Sequence, residues 1–410
     1  MTYVKGLRCV ECGREYKSGP LYVCEFCFGP LEVTYDYAQI RKDMTKQKIE
    51  SRPNHMWRYR ELLPIDGDPV TGFDSGFTPL VNARNLAGAW GVKEIYLKDD
   101  SVNHPTLSFK DRVVAVAVTK AREFGFDTVA CASTGNLANS LAALAARSGV
   151  KRFIFTPSDL EYSKIIGSLI YQPNLVMVDG DYDEVNRLCS EIADKYQWAF
   201  VNINLRPFYG EGSKSMGFEI AEQLGWKTPD SIVAPSASGS LLTKLWKSFQ
   251  ELELIGLVPP AKTRVFAAQA AGCNPIITAI REGSDIIRPV KPRTVARSIA
   301  IGNPGDGYYA AKVTRDSGGY GADATDEEIV DAMQFLAETE GMFVEPAGGA
   351  TVAAAKKLVD SGRINRDGTL VLCITGNGLK TSEAIAGRLP MPAPIKPNIE
   401  SFEELLKKIQ

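Results

Sequence analysis

The sequence of 410 residues predicts an α/β protein with largely parallel sheets. From about residue 94 onward, short apolar segments alternate with helical segments, and loops rich in small residues join them. This alternation is typical of successive βαβ units. In such folds ligands bind where strands end and helices begin. The length allows two or three domains, and the first of them is expected to be a small Cys-rich segment.

The elements are predicted in chain order. Residues 30–35 are β-like, and residues 41–75 form a charged connecting arm interrupted by prolines. The helices expected around the candidate ligand loops are Asp111–Phe124, Leu137–Ala146 and Leu241–Leu252. The strands expected in the body are Glu94–Lys98, Thr128–Ala132, Arg152–Phe155, Leu175–Val178, Ser231–Ala234, Arg264–Ala267 and Leu370–Ile374.

Composition excludes several classes of protein. The formal net charge is -2, so no strongly basic field is present to hold nucleic acid. The sequence has no uninterrupted apolar run of about 18 residues for a membrane span and no secretory signal at its start. We therefore expect a cytoplasmic protein. The chain has only two histidines, His55 and His104, which disfavours a Ser-His-Asp triad and a His-rich catalytic zinc site.

Four of the eight cysteines form two Cys-x2-Cys pairs near the N-terminus, namely Cys9 with Cys12 and Cys24 with Cys27. Two such turns can place four thiolates around a tetrahedral zinc ion. With all four ligands supplied by cysteine, no coordination position stays open for catalysis, so a structural zinc is predicted. The alternative is four free thiols in a small hairpin. The other four cysteines are scattered and are expected to be buried small apolar residues.

Lys110 is the first candidate for covalent chemistry. It follows Ser108-Phe109 and lies at or near the N-terminus of the predicted helix, where the positive end of the helix dipole favours a neutral amine. A neutral lysine amine is a nucleophile, as covalent attachment to a carbonyl cofactor requires. On local evidence alone, a solvated surface lysine is the more common interpretation.

Three loops after predicted strands are suited to hold anions. The segment Ser133–Asn136 offers hydroxyls, an amide and free backbone N–H groups at a helix start. Residues 235–240 offer small residues and hydroxyls that suit a phosphate, and the segment Thr375–Gly378 allows close backbone approach. None is a dinucleotide or Walker motif. Ordinary helix caps and turns are the alternative for each loop, but together with Lys110 they fit a small phosphorylated cofactor.

These residues resemble a known group of enzymes. Residues 105–112, with the sequence PTLSFKDR, resemble the lysine motif of the fold-type II, or tryptophan-synthase-β-like, pyridoxal-phosphate (PLP) enzymes. Residues 132–136, ASTGN, resemble their loop for the substrate carboxylate. With GFTPL at 76–80, the order and spacing are most similar to the threonine synthase family over about residues 70–390. Several members of that family carry a similar Cys-rich N-terminal segment.

The resemblance implies the domain organisation. Two open, twisted parallel sheets are expected, in a large PLP-binding domain built from 76–110 and 211–390 and a small α/β domain at 111–210. A zinc-ribbon-like segment at 1–40, the connecting arm at 41–75 and a tail helix at 391–410 complete the expected chain.

The resemblance also implies residue roles. Lys110 would carry PLP covalently and act as the acid–base group, with Phe109 beside it. Asn136 would hydrogen-bond the 3′ oxygen of the cofactor, and Thr375 would meet its pyridine nitrogen. Ser133 and Thr134 would bind the substrate carboxylate. The cofactor phosphate would be held by the loop residues Ser236, Ala237, Ser238, Gly239 and Ser240.

The implied substrate is O-phospho-L-homoserine, which reacts with water to give L-threonine and phosphate in a carbon–oxygen lyase reaction. The substrate phosphate would be bound by Lys164, Arg187 and Asn204, with Asn202 and Lys214 behind them. A homodimer is implied as well.

Two alternatives stay open at this point. Cysteate synthase, which uses phosphoserine and sulfite, and more distantly threonine dehydratase and cysteine synthase, share the same scaffold. A non-catalytic zinc-ribbon interaction protein belongs to a different class. Leu107 and the shortage of glycines at residues 236–240 depart from the common family pattern and leave the substrate less well defined than the cofactor.

Overall fold

A computed structural model describes residues 2–133, 135–158, 162–180, 182–389 and 391–409, without the side chains of residues 162–164 and 182–183. The strands are β1 (Val4–Cys9), β2 (Glu15–Tyr16), β3 (Leu31–Tyr35), β4 (Leu80–Asn82), β5 (Glu94–Asp99), β6 (Thr128–Ala132), β7 (Lys151–Pro157), β8 (Asn174–Val178), β9 (Ala199–Phe200), β10 (Ser231–Pro235), β11 (Arg264–Ala270), β12 (Gly321–Ala324) and β13 (Thr369–Ile374).

The helices lie between and after these strands. They are α1 (Tyr37–Asp43), α2 (Lys46–Glu50), α3 (Arg84–Trp90), α4 (Lys110–Glu123), α5 (Asn136–Arg147), α6 (Tyr162–Leu169), α7 (Tyr182–Tyr196), α8 (Arg206–Glu211), α9 (Lys214–Gln223), α10 (Ser240–Leu254), α11 (Pro275–Glu282), α12 (Gly307–Asp316), α13 (Asp326–Glu340), α14 (Pro346–Asp360), α15 (Glu383–Ala386) and α16 (Ile399–Ile409). Short 3-10 turns cover Met56–Leu62, Asp100–Val102, Arg297–Ile299 and Gly378–Thr381.

The chain forms three sheets. The N-terminal sheet has the order β2-β1-β3 and is antiparallel. The second has six strands in the order β12-β11-β10-β13-β5-β4, parallel except for the edge strand β4. The third has four parallel strands in the order β8-β7-β6-β9. The predicted α/β class with largely parallel sheets is confirmed.

The interior strands of both parallel sheets are covered on both faces, which is why they appear in the sequence as continuous apolar runs. All five residues of β6 and all five of β10 are buried. Helices α5 and α14 carry many alanines, and their small side chains allow close packing against these sheets. Among the described residues, no helix combines the length and apolar character that crossing a membrane requires.

The seven predicted body strands and the three predicted helices are present, with bounds that differ by only a few residues. The strands of the four-stranded sheet lie between residues 128 and 200, inside the range predicted for the small domain. Those of the six-stranded sheet come from both ranges predicted for the large domain. Within the range 391–410 expected to form a tail helix, residues 391–398 have no helical structure and α16 covers Ile399–Ile409.

Candidate active site

Three neighbouring strands of the six-stranded sheet lead into the candidate loops. Strand β13 lies between β10 and β5, and all three run parallel. Their carboxyl ends therefore lie at one edge of the sheet, where ligands bind in open parallel sheets. The loop after β10 is the predicted phosphate loop, the loop after β13 contains Thr375, and the segment after β5 leads to Lys110.

Lys110 is the first residue of α4, which begins one residue before the start predicted from the sequence. The backbone N–H of its neighbour Phe109 donates to the Thr375 carbonyl over 2.9 Å, so the lysine segment is joined to the loop after β13. Lys110 Nζ lies 4.7 Å from the centre of the Phe109 ring, in agreement with the flanking role expected for Phe109. Nζ donates a hydrogen bond of 3.1 Å to Tyr209 Oη.

Asn136, the first residue of α5, faces a buried carboxylate. Its Nδ2 donates to the two carboxylate oxygens of Glu345 at 2.9 and 3.2 Å. Burial raises the pKa of Glu345, while the bond from Asn136 and the charges of Lys380 and Lys110 oppose that rise. A carboxylate is thus held against Asn136, in a position that the sequence did not assign to the site.

The phosphate loop follows β10 and begins α10. Ser236 Oγ is buried and has no hydrogen-bond partner within the described part of the chain. Gly239 has φ +98°, and a Cβ at this position would come within 2.6 Å of the Asp306 carbonyl oxygen. Only glycine therefore fits this turn. The Asp306 N–H donates to the Ser238 carbonyl over 2.8 Å and fixes the loop from outside.

The other residues of the predicted cofactor and carboxylate sites are placed as follows. Thr375 is buried and directly follows β13. Ser133 is half-buried, and its Oγ accepts a bond of 3.3 Å from the Gly135 N–H. Thr134 lies outside the described residues. A Cβ on Gly376 would overlap the Glu345 carboxylate, which explains the small residue after Thr375.

The residues expected to bind the substrate phosphate belong to three different parts of the structure, namely α6, α7 and the segment after β9. Arg187 lies on α7 and is exposed, and the side chain of Lys164 on α6 lies outside what the structure describes. Asn204 accepts a bond from the Phe200 N–H at 2.9 Å and donates to the Trp198 carbonyl at 2.8 Å. Its amide therefore holds the chain after β9.

Two further residues stood behind those candidates in the sequence. Asn202 Oδ1 is buried without a partner among the described residues. Lys214 is fully buried and forms ion pairs with Glu211 at 2.7 Å and Glu251 at 2.8 Å. This pairing argues against contact between Lys214 and a substrate phosphate.

A network of buried charged side chains holds the first turn of α4, the helix that begins with Lys110. Arg112, two residues after Lys110, donates to Asp100 at 2.7 Å and to Glu219 at 2.7 Å, and Lys98 pairs with Glu219 at 2.7 Å. These side chains are fully buried. Burial raises the pKa of Glu219, but the two cations outweigh it and leave the net value at about 2.

Asp111, directly after Lys110, bonds a different segment, the one that precedes the lysine. It accepts bonds from the N–H and the hydroxyl of Thr106 at 2.9 and 2.7 Å. Burial raises the pKa of Asp111 to about 6 in spite of these bonds. Lys380 Nζ donates to the Thr106 carbonyl over 2.6 Å, so the lysine segment is fixed on both sides.

The four N-terminal cysteines form one cluster. Their sulfurs lie within 4.8 Å of one another, with Cys9 and Cys27 3.4 Å apart and Cys12 and Cys24 3.6 Å apart. Tetrahedral zinc with Zn–S bonds of about 2.3 Å places sulfurs about 3.8 Å apart. The predicted cysteines thus meet the geometry that a thiolate site for a metal requires.

Two residues of the site were missed by sequence reasoning. Glu345 precedes a Pro-Ala-Gly-Gly segment at the start of α14. That run of proline and small residues is a visible sign in the sequence that a loop meets a helix there. Tyr209 lies on the six-residue helix α8, and nothing in its local sequence distinguishes it from a packing aromatic. Only the fold brings Tyr209 to Lys110.

Comparison with known proteins is consistent with this geometry. Residues 73–376 match a family described as pyridoxal-phosphate dependent enzyme. A threonine synthase of Methanocaldococcus jannaschii is 37% identical to the chain over 98% of the chain and 99% of that protein. A threonine synthase of Methanosarcina acetivorans is 39% identical, with 98% of both chains covered.

Solved structures give the fold. The chain is similar to a diaminopropionate ammonia lyase of Escherichia coli, with a TM-score of 0.64, 17% identity and coverage of 75% of this chain and 86% of that one. It is also similar to threonine deaminase isoform 2 of Solanum lycopersicum, with a TM-score of 0.63, 20% identity and coverage of 76% and 84%. The predicted fold-type II architecture is thereby confirmed.

Proposed function

The chain belongs to the threonine synthases, within the pyridoxal-phosphate dependent enzymes, and we propose that it converts O-phospho-L-homoserine and water to L-threonine and phosphate with Lys110 as the cofactor lysine. One observation carries the assignment of the site. Lys110 and the loops after β10 and β13 lie at one edge of the six-stranded sheet, and Glu345, bonded to Gly376 in the loop after β13, joins Asn136 of the other sheet to that edge.

The residues present fit PLP. Ser236 Oγ is a buried hydroxyl without a partner in the described chain, at the position proposed for the cofactor phosphate. The N–H groups at the start of α10 lie in the same loop and add donors for an anion. Ala237, Ser238, Gly239 and Ser240 complete this loop, Thr375 would meet the pyridine nitrogen, and Asn136 the 3′ oxygen. When bound, PLP stabilises negative charge that develops on the substrate carbons.

Lys110 would move the protons. A general base must lie within hydrogen-bond reach of the proton that it takes. Lys110 begins α4, and the buried network around Arg112 holds the same first turn of that helix. Lys110 would take protons from the α- and β-carbons of the substrate as a neutral amine and return them later as an ammonium. Phosphate would leave the γ-carbon, which gains a proton, and water would then add its hydroxyl at the β-carbon and its proton at the α-carbon.

The substrate itself would be held at its two anionic ends. Ser133 and Thr134 would bind the carboxylate, and Ser133 lies just before the start of α5, a position that favours an anion. Arg187, Lys164 and Asn204 remain the candidates for the phosphate. Of these, exposed Arg187 is the strongest, because a guanidinium binds phosphate through two parallel bonds and is reachable from solvent.

The N-terminal cluster would hold a structural zinc ion through Cys9, Cys12, Cys24 and Cys27. Sulfur is the ligand type that structural zinc sites use most, and four protein ligands leave no open position for a substrate. Because the thiolates must stay reduced to bind metal, a cytoplasmic location remains our expectation. We also expect a homodimer, which light scattering of the purified chain would test.

The decisive experiment combines spectroscopy with product analysis. The purified chain and its Lys110→Ala variant are mixed with PLP, and visible absorption is recorded before and after O-phospho-L-homoserine is added. We expect a visible band and release of threonine and phosphate for the parent chain, with both lost in the variant. A band without turnover, followed by activity with phosphoserine and sulfite, would instead assign the chain as a cysteate synthase. No band in the parent chain would exclude the proposed function.

A further inference from the structure

Tyr209 is the partner of the Lys110 amino group. Nζ lies 3.1 Å from Tyr209 Oη and 5.7 Å from the centre of the Tyr209 ring. Among the described residues, Tyr209 supplies the one side-chain hydrogen bond that Nζ makes. Phe109 contacts the same amino group through its ring only. Within the described part of the chain, the phenol is therefore the polar side-chain group that hydrogen-bonds the reacting nitrogen.

The helix that carries Tyr209 is short but fixed at both ends. At its start, Arg206 pairs with Asp306 at 2.6 Å, and the Asp306 N–H donates to Ser238 in the phosphate loop. At its end, Glu211 accepts a buried hydrogen bond of 2.7 Å from Tyr35 Oη on β3. Tyr209 is thus held between the phosphate loop and the N-terminal sheet.

Charge strengthens the second of these anchors. Glu211 is fully buried and pairs with Lys214 at 2.7 Å and Lys244 at 2.6 Å. Burial raises the pKa of Glu211, but these lysines and Lys247 outweigh it and hold that pKa well below its usual range. A carboxylate that stays ionised keeps its bonds to all of these partners. Functional side chains need such supporting contacts to keep a fixed position.

From these contacts we propose that Tyr209 is a positioning residue, which holds the Lys110 amino group in place for covalent loading of PLP and for the proton transfers that follow. The proposal rests on the proposed function for the assignment of Lys110 as the cofactor lysine. It adds a residue to which the family resemblance gave no role.

The proton balance of this role is simple. The neutral Lys110 amine takes a proton from a substrate carbon, the electron pair of the C–H bond stays with the substrate, and the amine becomes an ammonium. One N–H of that ammonium is donated to Tyr209 Oη, while Tyr209 keeps its own proton. When Lys110 returns its proton, the hydrogen bond to Tyr209 still limits where the amine can point.

The test uses Tyr209→Phe, which keeps the ring and removes Oη, and Tyr209→Leu, which removes both. Tyr3→Phe is the matched control, because it removes a hydroxyl that donates over 3.0 Å to Asp43 in the N-terminal segment. Each chain is stripped of PLP, and the rate at which the visible band returns at a fixed PLP concentration is measured. Steady-state kinetics with O-phospho-L-homoserine and the melting temperature complete the comparison.

For Tyr209→Phe we expect loading and kcat to fall about five- to tenfold, equivalent to about 1–1.4 kcal/mol, with KM within about twofold of the parent value. The Leu variant should be at least as slow, and Tyr3→Phe should match the parent. Parent-like loading and kcat in the Phe variant would overturn the proposal, and so would a slow Phe variant that also melts far below the parent. Should the parent chain load PLP but leave O-phospho-L-homoserine unchanged, the substrate assignment fails while the loading rates still decide the role of Tyr209.

Discussion

Asn136 and Glu345 join the two parallel sheets across the candidate active site. Asn136 begins the helix after β6 of the four-stranded sheet, and Glu345 precedes the helix α14 that packs on the six-stranded sheet. The Asn136 amide nitrogen lies 2.9 Å from one Glu345 oxygen and 3.2 Å from the other. The Glu345 carboxylate thereby orients the Asn136 amide, which in the proposed site would meet the 3′ oxygen of the cofactor.

Replacement of Glu345 should therefore weaken cofactor binding. In Glu345→Ala the Asn136 amide loses its acceptor and is free to rotate, and we expect the Kd for PLP to rise about tenfold, the effect of about 1.4 kcal/mol. Glu345→Gln keeps one acceptor oxygen and should lie between Ala and the parent chain. Absorbance titration of the stripped chain with PLP measures each Kd.

The control for this series is Glu338→Ala, which removes an exposed carboxylate from the nearby helix α13. It should bind PLP as the parent chain does. Equal PLP affinity in Glu345→Ala and the parent would show that Asn136 does not need this carboxylate, and the orienting role would be abandoned.

The buried charges under the lysine helix should control stability. Glu219→Gln leaves Arg112 and Lys98 with less compensating charge in a fully buried site, and breaking such a network costs about 3–5 kcal/mol. Urea unfolding measures the loss. The control is Asp316→Asn, which breaks an exposed pair with Lys312 on α12 and should cost less than about 1 kcal/mol. Equal costs for the two variants would contradict the importance of burial.

Low pH should weaken the same network in the parent chain and so lower its free energy of unfolding. The pKa of Glu219 is about 2 in the fold, below its ordinary value of 4.5, so the folded state binds this proton less readily than the unfolded state does. The stability that results, on the order of 3 kcal/mol, is present above pH 4.5 and is lost as the pH falls toward 2. The free energy of unfolding of Glu219→Gln should vary less across that pH window than that of the parent. An identical pH dependence would contradict the assignment.

The sequence made the sheets and the ligand loops predictable for a physical reason. Buried parallel strands are continuous apolar runs, and loops that bind anions need small residues and hydroxyls, so both leave local patterns. Strand β12 was missed because Gly321–Ala324 contains no apolar run; it is recognised as a strand only through its pairing with β11. The contacts of Tyr209 with Lys110 and of Glu345 with Asn136 join residues far apart in the chain, so no local pattern encodes them.

Two candidates for the phosphate site should respond differently to substitution. Arg187 is exposed on α7, so Arg187→Ala should raise KM for O-phospho-L-homoserine about tenfold or more while the melting temperature and the PLP band stay unchanged. Asn204 bonds the backbone of Trp198 and Phe200, so Asn204→Ala should lower the free energy of unfolding by about 1–3 kcal/mol. Should Arg187→Ala leave KM unchanged, the phosphate lies elsewhere, and Lys164 becomes the next variant to measure.

Removal of the proposed zinc should weaken the fold beyond the N-terminal sheet. Cys9 ends β1, which pairs with β3, and Tyr35 at the end of β3 donates to Glu211 on the helix of Tyr209. A chelator should therefore lower both the melting temperature and the rate of PLP loading, because the support of Tyr209 is lost together with the N-terminal sheet.

Cys12→Ser should reproduce both effects and contain less than one zinc ion per chain by elemental analysis. A chelator should add nothing further to that variant, since the same site is already empty. Loss of zinc without any change in loading would confine the metal to a local role, whereas a zinc-free parent chain of unchanged stability would exclude the structural metal.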